Sequence, residues 1–158
     1  MSTTATRNAR RGASTRNRQV RDAAAIGLAL QIVTTVLPLL DLAYFGTIES
    51  HVRDAYPAWP ASDVALDRDA IAWSLVVIGV LGVVGWIVTI WSARRGRAVR
   101  AIVTSLFVVG TVVNLTVAGL GGEAYDTIVP LWLGVTTLVL PGLAGIAALV
   151  AAWWGGRE

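Results

Sequence analysis

Residues 71–93 read IAWSLVVIGVLGVVGWIVTIWSA and residues 98–120 read AVRAIVTSLFVVGTVVNLTVAGL, with only RRGR at 94–97 between them. About 20 mostly apolar residues, at a rise of about 1.5 Å each, are enough for a helix to cross a bilayer. Strands of a membrane barrel would instead alternate polar and apolar residues over about ten positions. The sequence therefore predicts two membrane-spanning helices joined by a short basic turn.

Two further stretches of the same character complete an all-α, polytopic fold. They run over about residues 23–46 and 127–154, so that 23–154 forms a four-helix transmembrane domain with an outer loop at 47–70. Apolar residues make up 55% of the chain and charged residues 15%, against about 25% charged in soluble domains. The remaining polar chain is too short to cover four such helices in water, which indicates a bilayer around them.

The arginines predict the orientation of an up-down bundle. All 13 basic residues are arginine, and only Arg53 and Arg68 fall between the first and second spans or between the third and fourth. Basic residues concentrate in cytoplasmic loops, so we expect both termini in the cytoplasm and the protein in the plasma membrane. The arginines assigned to the cytoplasmic side are Arg7, Arg10, Arg11, Arg16, Arg18, Arg21, Arg94, Arg95, Arg97, Arg100 and Arg157.

The two tails contain charged residues but few apolar side chains that could be buried. Residues 1–22 are rich in Ser, Thr, Asn and Arg, which predicts a disordered basic cytoplasmic tail, and residues 155–158 form a second short tail. Each N-terminal arginine near an anionic leaflet would contribute about 1 kcal/mol of attraction. Anionic lipid is thus a possible partner there, and a topology signal alone is the other interpretation. Because the arginines flank the spans, we expect the bilayer, and not nucleic acid, as the partner.

The outer loop contains a short amphipathic pattern. Ile48, Val52 and Tyr56 recur every four residues, so the first helix is expected to continue as an amphipathic turn that lies on the membrane. Pro57 and Pro60 then end it, since proline lacks the amide donor and clashes inside a helix. His51 lies on this segment without a recognisable partner in the sequence.

A polar stripe runs along the first span. Gly27, Gln31, Thr34, Pro38 and Asp41 are separated by 4, 3, 4 and 3 residues, which keeps them on one face of a packed helix. The opposite face is apolar. In lipid the stripe must turn toward other helices or toward water, and a carboxylate there requires a partner.

The third span offers that partner. Asn114 stands at a spacing of four from Gly110 and Ala118 and at a depth near that of Asp41, so we expect these two side chains to approach each other inside the bundle. The candidate intramembrane polar site is Gln31, Thr34, Asp41 and Asn114. Such groups serve either as packing contacts between helices or as a site for a ligand, ion or proton.

The sequence points to a protein without catalysis. It has no cysteine, one histidine and no pair of carboxylates within the spans, so we expect no enzyme activity, no cofactor and no metal site. Small residues such as Ala144, Ala148 and Ala152 allow close helix approach. The first functional prediction is an accessory or self-associating subunit, in a homo-oligomer or a membrane complex. The alternative is a small transporter or ligand-binding protein that uses the polar stripe.

The overall plan resembles a class of small four-helix integral membrane proteins of actinobacterial type whose function is unknown. The resemblance is carried by Arg94-Arg95-Gly96-Arg97-Ala98-Val99-Arg100, by the following Ala101-Ile102-Val103-Thr104, and by the last helix ending in Trp153-Trp154. It implies a four-helix membrane fold over most of the chain and implies no activity.

Overall fold

A computed structural model describes residues 2–119, 121 and 124–155, with backbone alone for residues 2–11 and 118. The described residues form helices joined by turns and short loops. The elements are α1 (Ser2–Leu40), a π-helical turn (Asp41–Phe45), α2 (Thr47–Ala55), α3 (Ala61–Arg95), α4 (Val99–Gly119) and α5 (Leu131–Trp154).

Four of these helices, α1, α3, α4 and α5, are long and apolar enough to cross a membrane, and they correspond to the four predicted spans. The all-helical fold is therefore confirmed. Their ends differ in detail: α3 begins at Ala61, well before residue 71, and α5 begins after Pro130. The predicted tail at 155–158 falls mostly on residues 156–158, which lie outside the described residues.

The polar stripe of α1 faces the bundle, as its spacing predicts. Thr34, Pro38 and Asp41 are almost completely buried, whereas Ile32 and Val36 on the opposite face are exposed. A helix that hides its small and polar residues and exposes its apolar ones is suited to a lipid environment, where exclusion from water does not drive helix association.

A close-packed seam joins α1 to α3. At each of its three contacts, a side chain of one helix fills the space beside a glycine of the other. The pairs are Gly27 with Trp86, Gln31 with Gly82, and Thr35 with Gly79. Along these pairs the residue numbers rise in α1 and fall in α3, so the two helices run antiparallel here. Helix α1 also packs along α5, whereas α4 packs mainly on α5 and only sparsely on α3.

The structure corrects the prediction of a disordered tail over residues 1–22 for all of these residues but Met1, which lies outside the described residues. Helix α1 begins at Ser2, and Val20 is fully buried in an apolar cluster with α3, α4 and α5. The backbone at Arg16 approaches Gly155, and the Asn17 amide nitrogen approaches Gly96. The polar segment can pack there because Gly155 and Gly96 have no side chains in its way. This is a tertiary effect that the composition of the segment does not reveal.

Helix α2 forms a cap over one end of the bundle. The predicted helical segment is present, but its apolar face packs on the bundle instead of lying on the membrane: Ile48 and Val52 are inaccessible and pack with Val64, Ile71 and Leu133. The chain reverses into α2 at a glycine, Gly46, whose φ of 64° lies in the left-handed region that glycine tolerates best. This sharp turn folds α2 back onto the helix ends.

Candidate functional site

A cavity of about 270 Å³ lies between the long helices. Its wall is mostly apolar and comes chiefly from α3, α4 and α5, with Gln31 and Thr34 contributed by α1. No described residue in this wall carries an ionisable side chain. The polar members of the wall are Gln31, Thr34, Thr89, Thr111, Asn114 and Thr137.

Several of these polar side chains donate to the backbone of their own helices. The hydroxyl of Thr34 donates to the Gln31 carbonyl at 3.0 Å, and the Thr89 hydroxyl donates to the Gly85 carbonyl at 3.0 Å. The Asn114 amide donates to the Gly110 carbonyl at 2.8 Å. Each oxygen retains lone pairs, and each side-chain amide has a second N–H. The cavity can therefore offer neutral acceptors and donors but no charge.

Glycines leave part of the wall bare. A Cβ atom placed on Gly110 or on Gly142 would meet nothing within 4 Å, and one on Gly85 would meet only Leu106, at 3.9 Å. These three glycines line the cavity from three different helices. At the glycines of the α1–α3 seam, by contrast, a side chain of the other helix fills the space beside the glycine. The three cavity glycines leave that space empty and so enlarge the cavity.

Asp41 does not belong to this cavity. Its carboxylate is fully buried and accepts hydrogen bonds from the Thr47 amide at 3.1 Å, from the Ile48 amide at 2.8 Å and from the Thr47 hydroxyl. The first amides of a helix lack partners within it, and a carboxylate there also meets the positive end of the helix dipole. Asp41 therefore anchors the start of α2.

The predicted contact between Asp41 and Asn114 is consequently not formed. Asn114 lines the cavity with Gln31 and Thr34, as its place in the candidate site suggests, while the carboxylate of Asp41 is committed to Thr47 and Ile48. The π-helical turn and Gly46 then bring a nearer partner, α2, onto the carboxylate.

A polar and aromatic cluster holds the α4–α5 loop against the cap. A ring nitrogen of His51 donates to the Thr127 carbonyl at 2.7 Å, and the ring stacks on Tyr125 with 5.4 Å between centroids. The Tyr125 hydroxyl donates to Asp67 at 2.5 Å. Burial, together with this carboxylate, raises the pKa of Tyr125 above its ordinary value. Sequence reasoning missed this cluster because its members lie far apart along the chain.

Ion pairs join the cap to α3. Glu49 on α2 accepts from Arg53 at 2.8 Å and from Arg68 on α3 at 3.0 Å. The pKa of Glu49 is lowered, first by the hydrogen bond from Arg53 and then by the one from Arg68. Since these groups are partly exposed, each pair contributes at most about 1 kcal/mol. They orient α2, while Ile48 and Val52 hold it in place.

No protein-family model, curated protein or solved structure matches the chain. The geometry of the cavity and of its surroundings is therefore the basis for a functional proposal.

Proposed function

We propose that this protein resides in the plasma membrane, that α1, α3, α4 and α5 cross the bilayer alternately, and that both termini are cytoplasmic. The apolar length of the four helices and the concentration of arginines on one side support this topology. The cap formed by α2 then lies on the outer face.

Reporter fusions test this topology directly. A reporter active only in the cytoplasm should work at both termini and fail when inserted at residues 57–60, in the loop between α2 and α3. A reporter active only outside should give the opposite result. Termini on different sides, or recovery of the protein in the aqueous fraction, would contradict the proposal.

Within this topology, we propose that the protein binds a small, neutral, largely apolar molecule inside the helix bundle. The observation that carries the proposal is the cavity of about 270 Å³ with uncharged polar groups in an apolar wall. Binding sites for small molecules have this character: mostly apolar surfaces with a few polar groups that orient the ligand.

The chemistry of the wall favours a neutral ligand. An ion moved into such surroundings loses its hydration, and without an opposite charge this loss is not compensated. Amides and hydroxyls can still hydrogen-bond a carbonyl, hydroxyl or amide of a ligand. An apolar cavity left empty also destabilises a bundle by roughly 20 cal/mol per Å² of its surface, which an occupant would recover.

This proposal takes up the alternative of the two functional predictions. The small residues that suggest self-association are used within the chain, because Ala144, Ala148 and Ala152 are all buried there. Asp41, the group expected to serve proton- or ion-coupled transport, is engaged in anchoring α2. Binding at the cavity is the function that retains a specific geometric argument.

Filling the cavity provides the test. In Gly110→Leu, the new side chain projects into space that is free in the cavity, so ligand should be excluded while the fold is retained. Helix propensity alone makes this change favourable by up to about 1 kcal/mol. Protein purified in mild detergent should yield, on solvent extraction and mass spectrometry, a neutral compound that is absent from Gly110→Leu.

Gly119→Leu is the matched control. Gly119 lies on the same helix, also has open space at its Cβ position, and does not line the cavity. This variant should carry the compound at the wild-type level. Equal amounts in Gly110→Leu and in the wild type, or no compound in either, would count against binding at the cavity.

A further inference from the structure

We infer that the ligand reaches the cavity sideways from the hydrocarbon layer of the membrane, through an opening between α3 and α4, and is therefore lipid-soluble. This inference rests on the proposed function, because it concerns access to the same cavity. It adds the route, and with it the phase in which the ligand is dissolved.

The opening is marked by exposure. Among the described residues that line the cavity, three are also exposed on the surface of the protein: Leu81 on α3, 65% exposed, and Val109 and Val113 on α4, 59% and 39% exposed. Every other described residue of the wall is buried or half-buried. The cavity thus meets the surface where α3 faces α4.

The packing of the helices agrees with this position. Leu106 of α4 stands 3.9 Å from the Cβ position of Gly85 on α3, and the two helices are joined on the cytoplasmic side by the turn at residues 96–98. Leu81 is one helical turn outward of Gly85, and Val109 and Val113 lie outward of Leu106. Taken over its whole length, α4 packs mainly on α5, and its packing on α3 is sparse.

Both ends of the cavity are closed by apolar clusters. At the outer end, Leu75 and Val129 belong to the cluster beneath α2. At the cytoplasmic end, Val103 and Ala148 belong to the cluster that includes Val20, with Trp86 packed against it. Among the described residues, the clusters at both ends consist of apolar side chains, and the side opening is bordered by apolar side chains that are exposed on the surface. A molecule dissolved in the membrane core therefore has a shorter route to the cavity, at a lower cost in free energy, than a molecule dissolved in water.

The test separates the rate of access from the strength of binding. The probe is 4-bromobenzyl alcohol, a neutral lipophilic alcohol whose bromine quenches tryptophan fluorescence. Trp86 lines the cavity, so the other six tryptophans are replaced by phenylalanine and the protein is placed in lipid nanodiscs. Stopped-flow mixing gives the association and dissociation rates, and titration gives the Kd.

The test variant combines Val109→Phe with Val113→Phe, which enlarges two side chains at the opening. Both rates should fall by roughly tenfold or more, because an obstruction on the path slows entry and exit alike, whereas a weakened contact with the bound ligand would raise the dissociation rate. The matched control combines Val108→Phe with Val112→Phe. These residues are 52% and 58% exposed, lie on the same helix and are not part of the wall, so the rates should remain as in the parent protein.

The outcomes are distinguishable. Saturable quenching with unchanged rates in the test variant would overturn the side opening while leaving the proposed function intact. Quenching that is not saturable, and that is equal in Gly110→Leu, would overturn both. If a bilayer of dibrominated phosphatidylcholine quenched Trp86 as strongly as it quenches the exposed Trp73 in a second protein that retains Trp73 alone, acyl chains would fill the cavity, and a separate ligand would be refuted.

Discussion

Asp41→Ala should lower the stability of the folded protein by about 2–4 kcal/mol, seen as a marked fall in Tm in detergent. The change removes the acceptor of two backbone amides and one hydroxyl at the start of α2, in a place without access to water. Each buried donor left unsatisfied costs about 1–3 kcal/mol, and loss of a helix-capping side chain costs about 0.5–2 kcal/mol. The effect should appear first as detachment of the cap.

Two further variants identify the cause. Asp54→Ala removes an exposed carboxylate at the other end of α2, and it should leave Tm nearly unchanged. Asp41→Asn keeps one acceptor oxygen but directs an amide group toward donors, so its loss of stability should lie between those of the other two. If Asp41→Asn abolished binding of the bromobenzyl alcohol probe while Tm stayed at the wild-type value, Asp41 would be a site residue and the anchoring role would be refuted.

Gly79→Ala should destabilise the bundle by about 1–3 kcal/mol, the range for a side chain forced into a filled space. A Cβ at position 79 would lie 2.9 Å from both Thr35 Cβ and Thr35 Cγ2. Thr35 cannot readily move away, because its Cβ is attached directly to the α1 backbone and its hydroxyl bonds the Gln31 carbonyl at 2.6 Å. The two helices must therefore separate along the seam, and thermal unfolding in detergent measures the loss.

Gly85→Ala is the control on the same helix. The nearest atom to a Cβ at this position is 3.9 Å away, an ordinary contact distance. Alanine is a better helix former than glycine by about 1 kcal/mol, so this variant should be as stable as the wild type or more stable. Equal Tm values for the two alanine variants would show that the seam tolerates separation, contrary to the close packing between Thr35 and Gly79.

Features repeated along one helix were accessible from the sequence. The length of the apolar runs predicted four spanning helices, and the spacing of Gly27, Gln31 and Thr34 predicted which face of α1 turns inward. The repeat of Ile48 and Val52 predicted a helical turn with one apolar face, although not that this face packs on the bundle. Such patterns are readable because the helix itself brings residues three or four apart onto one side.

Contacts between segments were not accessible in the same way. Asp41 and Asn114 were paired by depth alone, whereas the turn through Gly46 decides the partner of Asp41. His51 contacts Thr127 and Tyr125, which are more than 70 residues away in the sequence, and no local sequence pattern indicates these contacts. The polar composition of residues 12–22 gives no reason to expect packing. In the structure Val20 is nevertheless buried, and the segment lies close to glycines of neighbouring elements.

Local hydropathy and helical periodicity were thus sufficient to define which segments are apolar helices and which face of α1 is polar, since both depend on neighbours a few residues apart. The position of each glycine among other helices depends on the whole bundle. Thr35 fills the space beside Gly79, whereas the space beside Gly110 and Gly142 belongs to the cavity. The sequence alone does not distinguish these glycines. Only the tertiary arrangement distinguishes them, because the space beside a glycine is determined by what the rest of the chain places there.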